Sequence, residues 1–371
     1  MEFTLRKEGT TPFLTPVPRE GSTFPPSSVP IFFNPAMEVN RDSTILFLSV
    51  TRPHTYLDAM GATGVRGLRA RHECGIAVTI NDWNPEAIEL IRRNAQLIGL
   101  ECEITQQDVN MLCSSRKFDA VDVDPFGTPA PFVDSAIRSA SRFLFITATD
   151  TAPLCGAHLK AGMRRYFSRP MNTDYHAEIA LRNILGFVTR ETIKYDRGIE
   201  PYFCFAQNHF IRLHLRLWSG TRAADNSLNH IGYIHQCVVC PSRIEQKGLV
   251  PEPTTCPSCG GNMRPIGPLW IGRINNNSLL MQLQNTISTS ILNSASHLNT
   301  LISSCLEELD VSFHYNYHRL AKSLKRSPPP IDELIKNLRQ RGFQASRSHY
   351  SGTALKTDAP LNTLLHTMKG D

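Results

Sequence analysis

"HTYLDAMGATGVRG", residues 54 to 67, runs from a β-rich stretch closing on an acid into three glycines, each separated from the next by two residues. A strand makes such a junction when it passes to a helix through a loop that lets a ligand approach the backbone, with the helix N-terminus alongside. The alternation recurs downstream: "IAVTIND" (76 to 82), "CEITQQD" (102 to 108), "FDAVDVD" (118 to 124) and "RFLFITATD" (142 to 150) are short β-rich runs ending near an acidic or small residue. Between the first two of these, Asn84 suits a cap and Pro85 a first helical turn, while Ala87, Ile88, Ile91, Ala95 and Ile98 fall at helical spacing. Repeated βα units predict a Rossmann-like α/β domain with a parallel sheet covered by helices. Further on, "IRLHLRLW" (211 to 218) alternates apolar residues with Arg212, His214 and Arg216, which predicts a half-exposed strand.

Ligands bind beyond the carboxyl ends of such strands. The spacing Gly61, Gly64, Gly67 is not the Gly-x-Gly-x-x-Gly of dinucleotide folds, so nothing in it demands a pyrophosphate. Asp58, just before the turn, is placed to meet an ammonium group, and Asp82, ending the next strand, to meet a ribose diol; Asp108 ends the third. Three acids on successive strand ends around a glycine turn suit S-adenosylmethionine better than NAD. The plain alternative is a tight turn with acids that only cap helices.

The fourth strand ends at Asp124-Pro125-Phe126-Gly127. The lone pair of an exocyclic amine on a heteroaromatic ring is delocalised, so methylating it needs acceptors that hold its N–H bonds and favour a tetrahedral nitrogen. Asp124 is the candidate for that acceptor and for the proton released, and Phe126 offers a face for a purine. The plain alternative makes Asp124 a helix cap and Phe126 a core ring. Asp122, two residues back, is either a like-charge neighbour or a buried partner of the backbone.

The 371 residues carry 39 Lys+Arg against 33 Asp+Glu, a net +6 that permits a polyanionic partner. Between Val311 and Tyr350 eight Lys/Arg face only Asp332 and Glu333, with His314, His318 and His349 among them, which predicts a basic face. Arg164, Arg165 and Arg169, beside Tyr166 and Phe167, form a second basic patch. No run approaches the ~18 apolar residues of a membrane span, and Met1 to Thr10 lacks the order of a signal peptide, so a cytoplasmic protein without membrane contact is expected. Nothing in the sequence calls for an obligate protein partner. Cys237-Val-Val-Cys240, fifteen residues, then Cys256-Pro-Ser-Cys259 has the spacing of a zinc ribbon: four thiolates close a structural Zn2+ site. Redox dithiols are the alternative. "NSLLMQLQNTISTSILN" and "LNTLISSCLEEL" predict helices, and "PPPIDELIKNLRQRGFQASRSH" a helix followed by turn and strand. Lys322, Lys325, Arg326, Lys336, Arg339, Arg341 and Arg347 around that helix suit RNA phosphates, or a solvated face with no partner.

Taken together, "IFFNPAMEVNRD" (31 to 42), "DAMGATGVRG" (58 to 67), "DVDPFGTP" (122 to 129), the cysteine pairs and "SRSHYSGTALKTDAP" (346 to 360) resemble the tRNA (guanine-26-N2)-dimethyltransferase family over almost the whole chain. The resemblance implies a class I methyltransferase domain, S-adenosylmethionine as donor, tRNA as substrate and methylation of the guanine 2-amino group. It implies Asp124 as the catalytic acid, Phe126 and Phe32 as rings on a flipped guanine, and Arg41, Asp58, Gly61, Gly64, Asp82, Trp83, Asp108 and Val109 as cofactor contacts. From the residues alone, the adjacent Phe32 and Phe33 read as core and Arg41 as a surface ion pair.

The expected organisation is therefore a methyltransferase domain over residues 1–223, its first 50 residues an arm or lid with an extended Pro-rich stretch from Thr11 to Pro35, then a C-terminal α+β tRNA-binding domain over 224–371 with the ribbon at about 232–268. Two other readings stay open: a methyltransferase acting on another amine, adenine N6 or a protein amide, and a non-catalytic zinc-ribbon RNA-binding protein.

Overall fold

The computed structural model describes residues 2–17, 31–207 and 209–370. The chain divides into two compact units, one of residues 1–149, 212–217 and 277–302, the other of 150–211, 218–276 and 303–371. Neither unit is a continuous stretch, so a single boundary at residue 223 does not coincide with them: packing groups segments by shared core, not by chain order.

The first unit opens with a hairpin, β1 (Phe3–Glu8) and β2 (Thr11–Pro16). The expected arm is thus partly a strand: Leu14 exchanges backbone hydrogen bonds with the Asn94 side chain, 2.7 and 3.1 Å. Its middle, 18–30, lies outside the described residues, and a short 3-10 turn at Pro35–Met37, capped by Asn34, ends it. Then follow α1 (Glu38–Thr51), β3 (Thr55–Asp58), α2 (Val65–Cys74), β4 (Ala77–Asn81), α3 (Pro85–Leu97), β5 (Glu103–Thr105), α4 (Val109–Ser115), β6 (Phe118–Val123), α5 (Ala130–Ser139) and β7 (Ala140–Ala148). All five expected strands are present, and α3 starts as its sequence predicts, with the Asn84 side chain accepting from Glu86 N–H at 2.9 Å. The strands lie in the order β5-β4-β3-β6-β7, parallel throughout. Both faces are covered, which explains the nearly continuous burial of β6 and β7.

In the second unit α6 (Thr151–Leu154), α7 (Leu159–Tyr166), α8 (His176–Ile193) and β8 (Arg197–Gln207) come first. The next strand, β9 (Phe210–Ser219), sends residues 212–217 back to the first unit beside β7. It is not half-exposed as its alternation suggests: Arg212 and His214 are fully buried, because a carboxylate waits inside for Arg212. After α9 (Thr221–Leu228) come three antiparallel strands, β10 (Ile231–Cys237), β11 (Arg243–Lys247) and β12 (Met263–Trp270), in the order β11-β10-β12. Helix α10 (Asn277–Ile287), which belongs to the first unit, starts where expected and ends at Ile287, short of its expected stretch, and α11 (Ala295–Glu307) follows where expected. The remainder, β13 (Tyr315–Asn316), α12 (Tyr317–Ser323), α13 (Ile331–Gln340), β14 (Ala345–Ser348), β15 (Ser351–Thr357) and α14 (Leu361–Lys369), forms a three-stranded sheet with helices around one apolar core of Leu334, Leu338, Leu355 and Leu364.

Candidate active site and cysteine cluster

Because β3 lies between β4 and β6 in parallel register, the carboxyl ends of all three come side by side. Asp58, at the end of β3, is 2% exposed, and its Oδ2 accepts Gly67 N–H at 2.9 Å. Burial pushes its carboxyl up to about 7, against the pull of the Arg66 guanidinium. In the turn that follows, Gly64 has φ +78, and a Cβ at Gly61 or Gly67 would sit 2.6 Å from Ile80. The glycines are thus required for close packing of the turn on β4 and for the left-handed backbone at the α2 cap.

After β4, Asp82 accepts Ala62 and Asn84 N–H groups, both at 2.9 Å, and burial lifts its carboxyl above the usual range. Trp83 beside it stands 77% exposed. Asp108 is the N-cap of α4, accepting Met111 N–H at 3.1 Å, with Val109 buried beneath. Arg41 is a buried ion pair, not a surface one: it donates to both Glu8 oxygens at 2.6 and 2.8 Å and to the carbonyl of Asn34 at 3.2 Å, while its guanidinium lies 4.9 Å from the centre of Phe33. It thereby ties the hairpin to the segment carrying Phe32.

Asp124 follows β6. Its Oδ2 accepts from Arg66 Nη2, and among the described residues it makes no other hydrogen bond. Phe126 is 63% exposed and meets Phe32 edge to face, centroids 4.6 Å apart. The expected sandwich of a base between these rings is therefore closed in this conformation: a flat purine needs two parallel faces. Gly127 turns the chain at φ +91 and is held by Thr149, whose Oγ1 accepts the Gly127 N–H at 2.8 Å.

Beneath these groups lies a buried charge network that the sequence reading did not find. Asp122 accepts from Arg212 on both oxygens (2.8 and 2.5 Å) and from Tyr56 Oη at 2.9 Å. Although burial alone would raise it, Arg212 and Arg66 hold the Asp122 carboxyl well below the usual range. Asp122 is thus a partner of buried arginines rather than of a backbone amide, and its other expected role holds as well: after burial itself, its like charge helps to raise the Asp58 carboxyl. Arg66 Nη1 donates to Asn40 Oδ1 (3.0 Å) and Thr44 Oγ1 (2.7 Å) and lies 3.5 Å from Asp122. The signal that was available is Arg66 itself, a long charged residue amid glycines.

In the second unit the four cysteine sulfurs of Cys237, Cys240, Cys256 and Cys259 lie within 4.8 Å of one another, with Cys237 to Cys259 and Cys240 to Cys256 at 3.5 Å. Sulfurs at ~2.3 Å from a tetrahedral metal stand about 3.8 Å apart, so the set fits one ion. Backbone N–H groups of Val239 and Cys240 point at Cys237 Sγ, and that of Ser258 at Cys256 Sγ, all at 3.4 to 3.5 Å; against the effect of burial, the Ser258 N–H helps to draw the Cys256 thiol below its usual range.

The basic segment is less uniform than its composition. His314 is buried on Glu178 (2.8 Å), and His349 on Glu308 (2.5 Å), while the Lys356 ammonium bridges Glu178 and Glu308 at 2.7 and 2.8 Å. Arg347 pairs with Asp332 and Arg165 with Asp150. In the same segment a hollow of about 430 Å³ is lined by His318, Lys322, Lys325, Arg326, Ser327 and Pro328, with no carboxylate among the described residues of its wall.

Residues 15–369 match the family model described as N2,N2-dimethylguanosine tRNA methyltransferase. The chain is 57% identical to a tRNA (guanine(26)-N(2))-dimethyltransferase of Methanoculleus marisnigri over 98% of each chain, and 56% identical to that of Methanoregula boonei over 98% and 97%. This chain belongs to the N2,N2-dimethylguanosine tRNA methyltransferase family. Among solved structures, Trm1 of Pyrococcus horikoshii, in complex with S-adenosyl-L-methionine, superposes with a TM-score of 0.88 at 31% identity, covering 98% of this chain and 99% of that one. The similarity spans both compact units, so the family assignment extends to the cysteine-bearing part as well as to the strand tips. Among the described residues, no helix is long and apolar enough to cross a membrane.

Proposed function

We propose that this protein methylates the exocyclic N2 amine of guanosine 26 in tRNA in the cytoplasm, giving N2-methyl- and N2,N2-dimethylguanosine, with S-adenosylmethionine as donor. One observation carries the chemistry: at the tip of β6, Asp124 has, among the described residues, one oxygen without a partner, beside the exposed ring of Phe126. The residues around the turn fit the donor. Asp58 suits its ammonium, Asp82 its ribose hydroxyls, and the face of Trp83 its adenine; Gly61 and Gly64 shape the turn, and Val109 and the Asp108 cap flank it. When bound, S-adenosylmethionine supplies a methyl group made electrophilic by its sulfonium.

The chain's own groups do the rest. Phe126 and Phe32 part to hold the extruded guanine. Asp124 accepts an N–H bond of the amine, turning the nitrogen lone pair toward the methyl group. As the new N–C bond forms, the nitrogen acquires positive charge, and Asp124 takes the proton that it sheds. Arg41, through Glu8 and Asn34, keeps the segment bearing Phe32 in place.

Catalysis falls to residues within the stretch 1–223 and tRNA binding mainly to residues within 224–371, where the four cysteines, in a ribbon at about 232–268, would hold a structural Zn2+. The test uses an unmodified tRNA transcript with guanosine at position 26 and isotope-labelled donor, followed by mass spectrometry of the nucleosides. Labelled N2-methyl- or N2,N2-dimethylguanosine, lost when position 26 is changed, is the expected result. An Asp124→Ala protein that folds and methylates at an undiminished rate would sink the catalytic assignment.

A further inference from the structure

We infer that Arg66 is a positioning residue for the methyl transfer: by binding one oxygen of Asp124, it fixes that carboxylate so that a single oxygen faces the amine. This inference rests on the catalytic reading of Asp124. Four observations lead to it. Arg66 stands in the first turn of α2, two residues beyond Gly64, and its side chain is 6% exposed. Its Nη1 is held by Asn40 and Thr44 of α1, and Asp122 lies 3.5 Å away, so the guanidinium plane cannot swing. Those holders are themselves fixed, since Asn40 donates to Thr147 at 3.1 Å and Arg212 donates to Thr44 at 2.6 Å and Thr147 at 2.9 Å. Its Nη2 is then left to Asp124, whose side chain is 22% exposed and has no other partner among the described residues.

An aspartate at the end of a strand ordinarily samples several rotamers, and an acceptor must be held within a fraction of an ångström of its working position to help a reaction of this kind. A rigid fork behind one oxygen supplies that restraint, because a guanidinium binds a carboxylate directionally whereas an ammonium acts as a point charge. Burial opposes the Arg66 charge, but Asp122 and Asp124 hold its guanidinium protonated far above any working pH, so the restraint is permanent. A further consequence follows for the substrate. With Oδ2 engaged, Asp124 meets one N–H of the amine, and the second must find its acceptor elsewhere in the pocket.

The experiment is a double-mutant cycle on the full chain: wild type, Arg66→Lys, Arg66→Met, Asp124→Asn and each Arg66 variant combined with Asp124→Asn. Single-turnover rate, KM for tRNA, S-adenosylmethionine affinity by calorimetry and melting temperature are measured for each. The expected result is a loss of roughly 10²-fold in rate for Arg66→Met and a smaller one for Arg66→Lys, with KM and cofactor affinity unchanged. In the Asp124→Asn background, neither Arg66 change should slow the reaction further, because the group it positions is already disabled. Arg66→Lys keeps a cation beside Asp122, so the cycle can be completed with it where Arg66→Met does not fold. Losses that multiply across the cycle, or an undiminished rate in Arg66→Lys and Arg66→Met, would overturn the inference while leaving Asp124 catalytic. An undiminished rate in Asp124→Asn would instead remove the catalytic reading of Asp124, and this inference with it.

Discussion

The rings of Phe32 and Phe126 meet edge to face at an interplanar angle of 82°, although 94 positions separate them in the chain and Phe126 is mostly exposed. A ring this exposed adds little to folding, yet gives a base a surface on which to stack. Phe126→Ala should therefore leave the melting temperature nearly unchanged and lower kcat/KM for tRNA by about 10- to 100-fold, as expected for a lost stacking contact of roughly 1–3 kcal/mol. Steady-state kinetics beside a thermal melt checks both halves.

Asp58 carries a pH signature. Its carboxyl stands at about 7 in the folded chain against an ordinary 3.8, so between these values the folded state keeps a proton that the unfolded state has released. Its contribution to stability is therefore lost as pH rises from about 4 to 7, and Asp58→Asn should flatten that slope. A cofactor ammonium favours the ionised form, so S-adenosylmethionine affinity should weaken by up to about tenfold per unit as pH falls below 7. Calorimetry in buffers of different ionisation enthalpy would show proton release on binding; release unaffected by Asp58→Asn would count against this contact.

The second unit should respond to alkali. Despite burial, Glu308 raises the His349 imidazole to about 10 from an ordinary 6.5. That stabilisation is fully present below about pH 6.5 and disappears as pH rises toward 10, so the melting temperature should fall over that window by roughly 5 °C or more. In His349→Gln the fall should be absent. Lys356→Met leaves Glu178 and Glu308 buried without their shared ammonium and should destabilise by about 3–5 kcal/mol, measurable by urea denaturation.

Removing the metal should be structural in effect. A chelator strong enough to strip Zn2+ from four thiolates should release one ion per chain and lower the melting temperature, and Cys256→Ser should do the same. S-adenosylmethionine affinity should hardly change. Metal content by mass spectrometry and cofactor calorimetry on the same samples separate a structural ion from a catalytic one.

The hollow lined by His318, Lys322, Lys325 and Arg326 should bind phosphates. Lys322→Glu and Lys325→Glu are expected to raise KM for tRNA several-fold and to reduce the slope of log affinity against log salt by about one per lost phosphate contact. The single-turnover rate at saturating tRNA should not move. A filter-binding titration across salt concentrations decides it.

How much was readable follows the range of the interactions. The βα alternation, the cap at Asn84 and Pro85, the glycine turn and the cysteine pairs all lie in patterns a few residues long, and each appears in the structure at its expected place, β5 alone of the strands ending three residues short of its run. The acids at positions 58, 82 and 124 reach one edge because parallel strands of similar length end together. Arg212 and His214 defeated the alternation rule, which reads a charged residue in a strand as facing water. That rule fails when a carboxylate lies in the interior to receive the charge, as Asp122 does here.

The sequence by itself determined the class of fold, the family, the acid at the tip of β6 and the fourfold cysteine set, since each is written in local spacing and in residue types that only a few chemistries require. Tertiary structure alone decided the partners. Arg66 finds Asp124 across 58 positions and Arg212 finds Asp122 across 90. The two compact units take up chain segments out of order. His314, His349 and Lys356 leave the basic face for the interior. The physical reason is common to all of them: whether a charge is buried depends on the free energy of desolvation set against a specific partner, and that partner is brought near only by the completed fold.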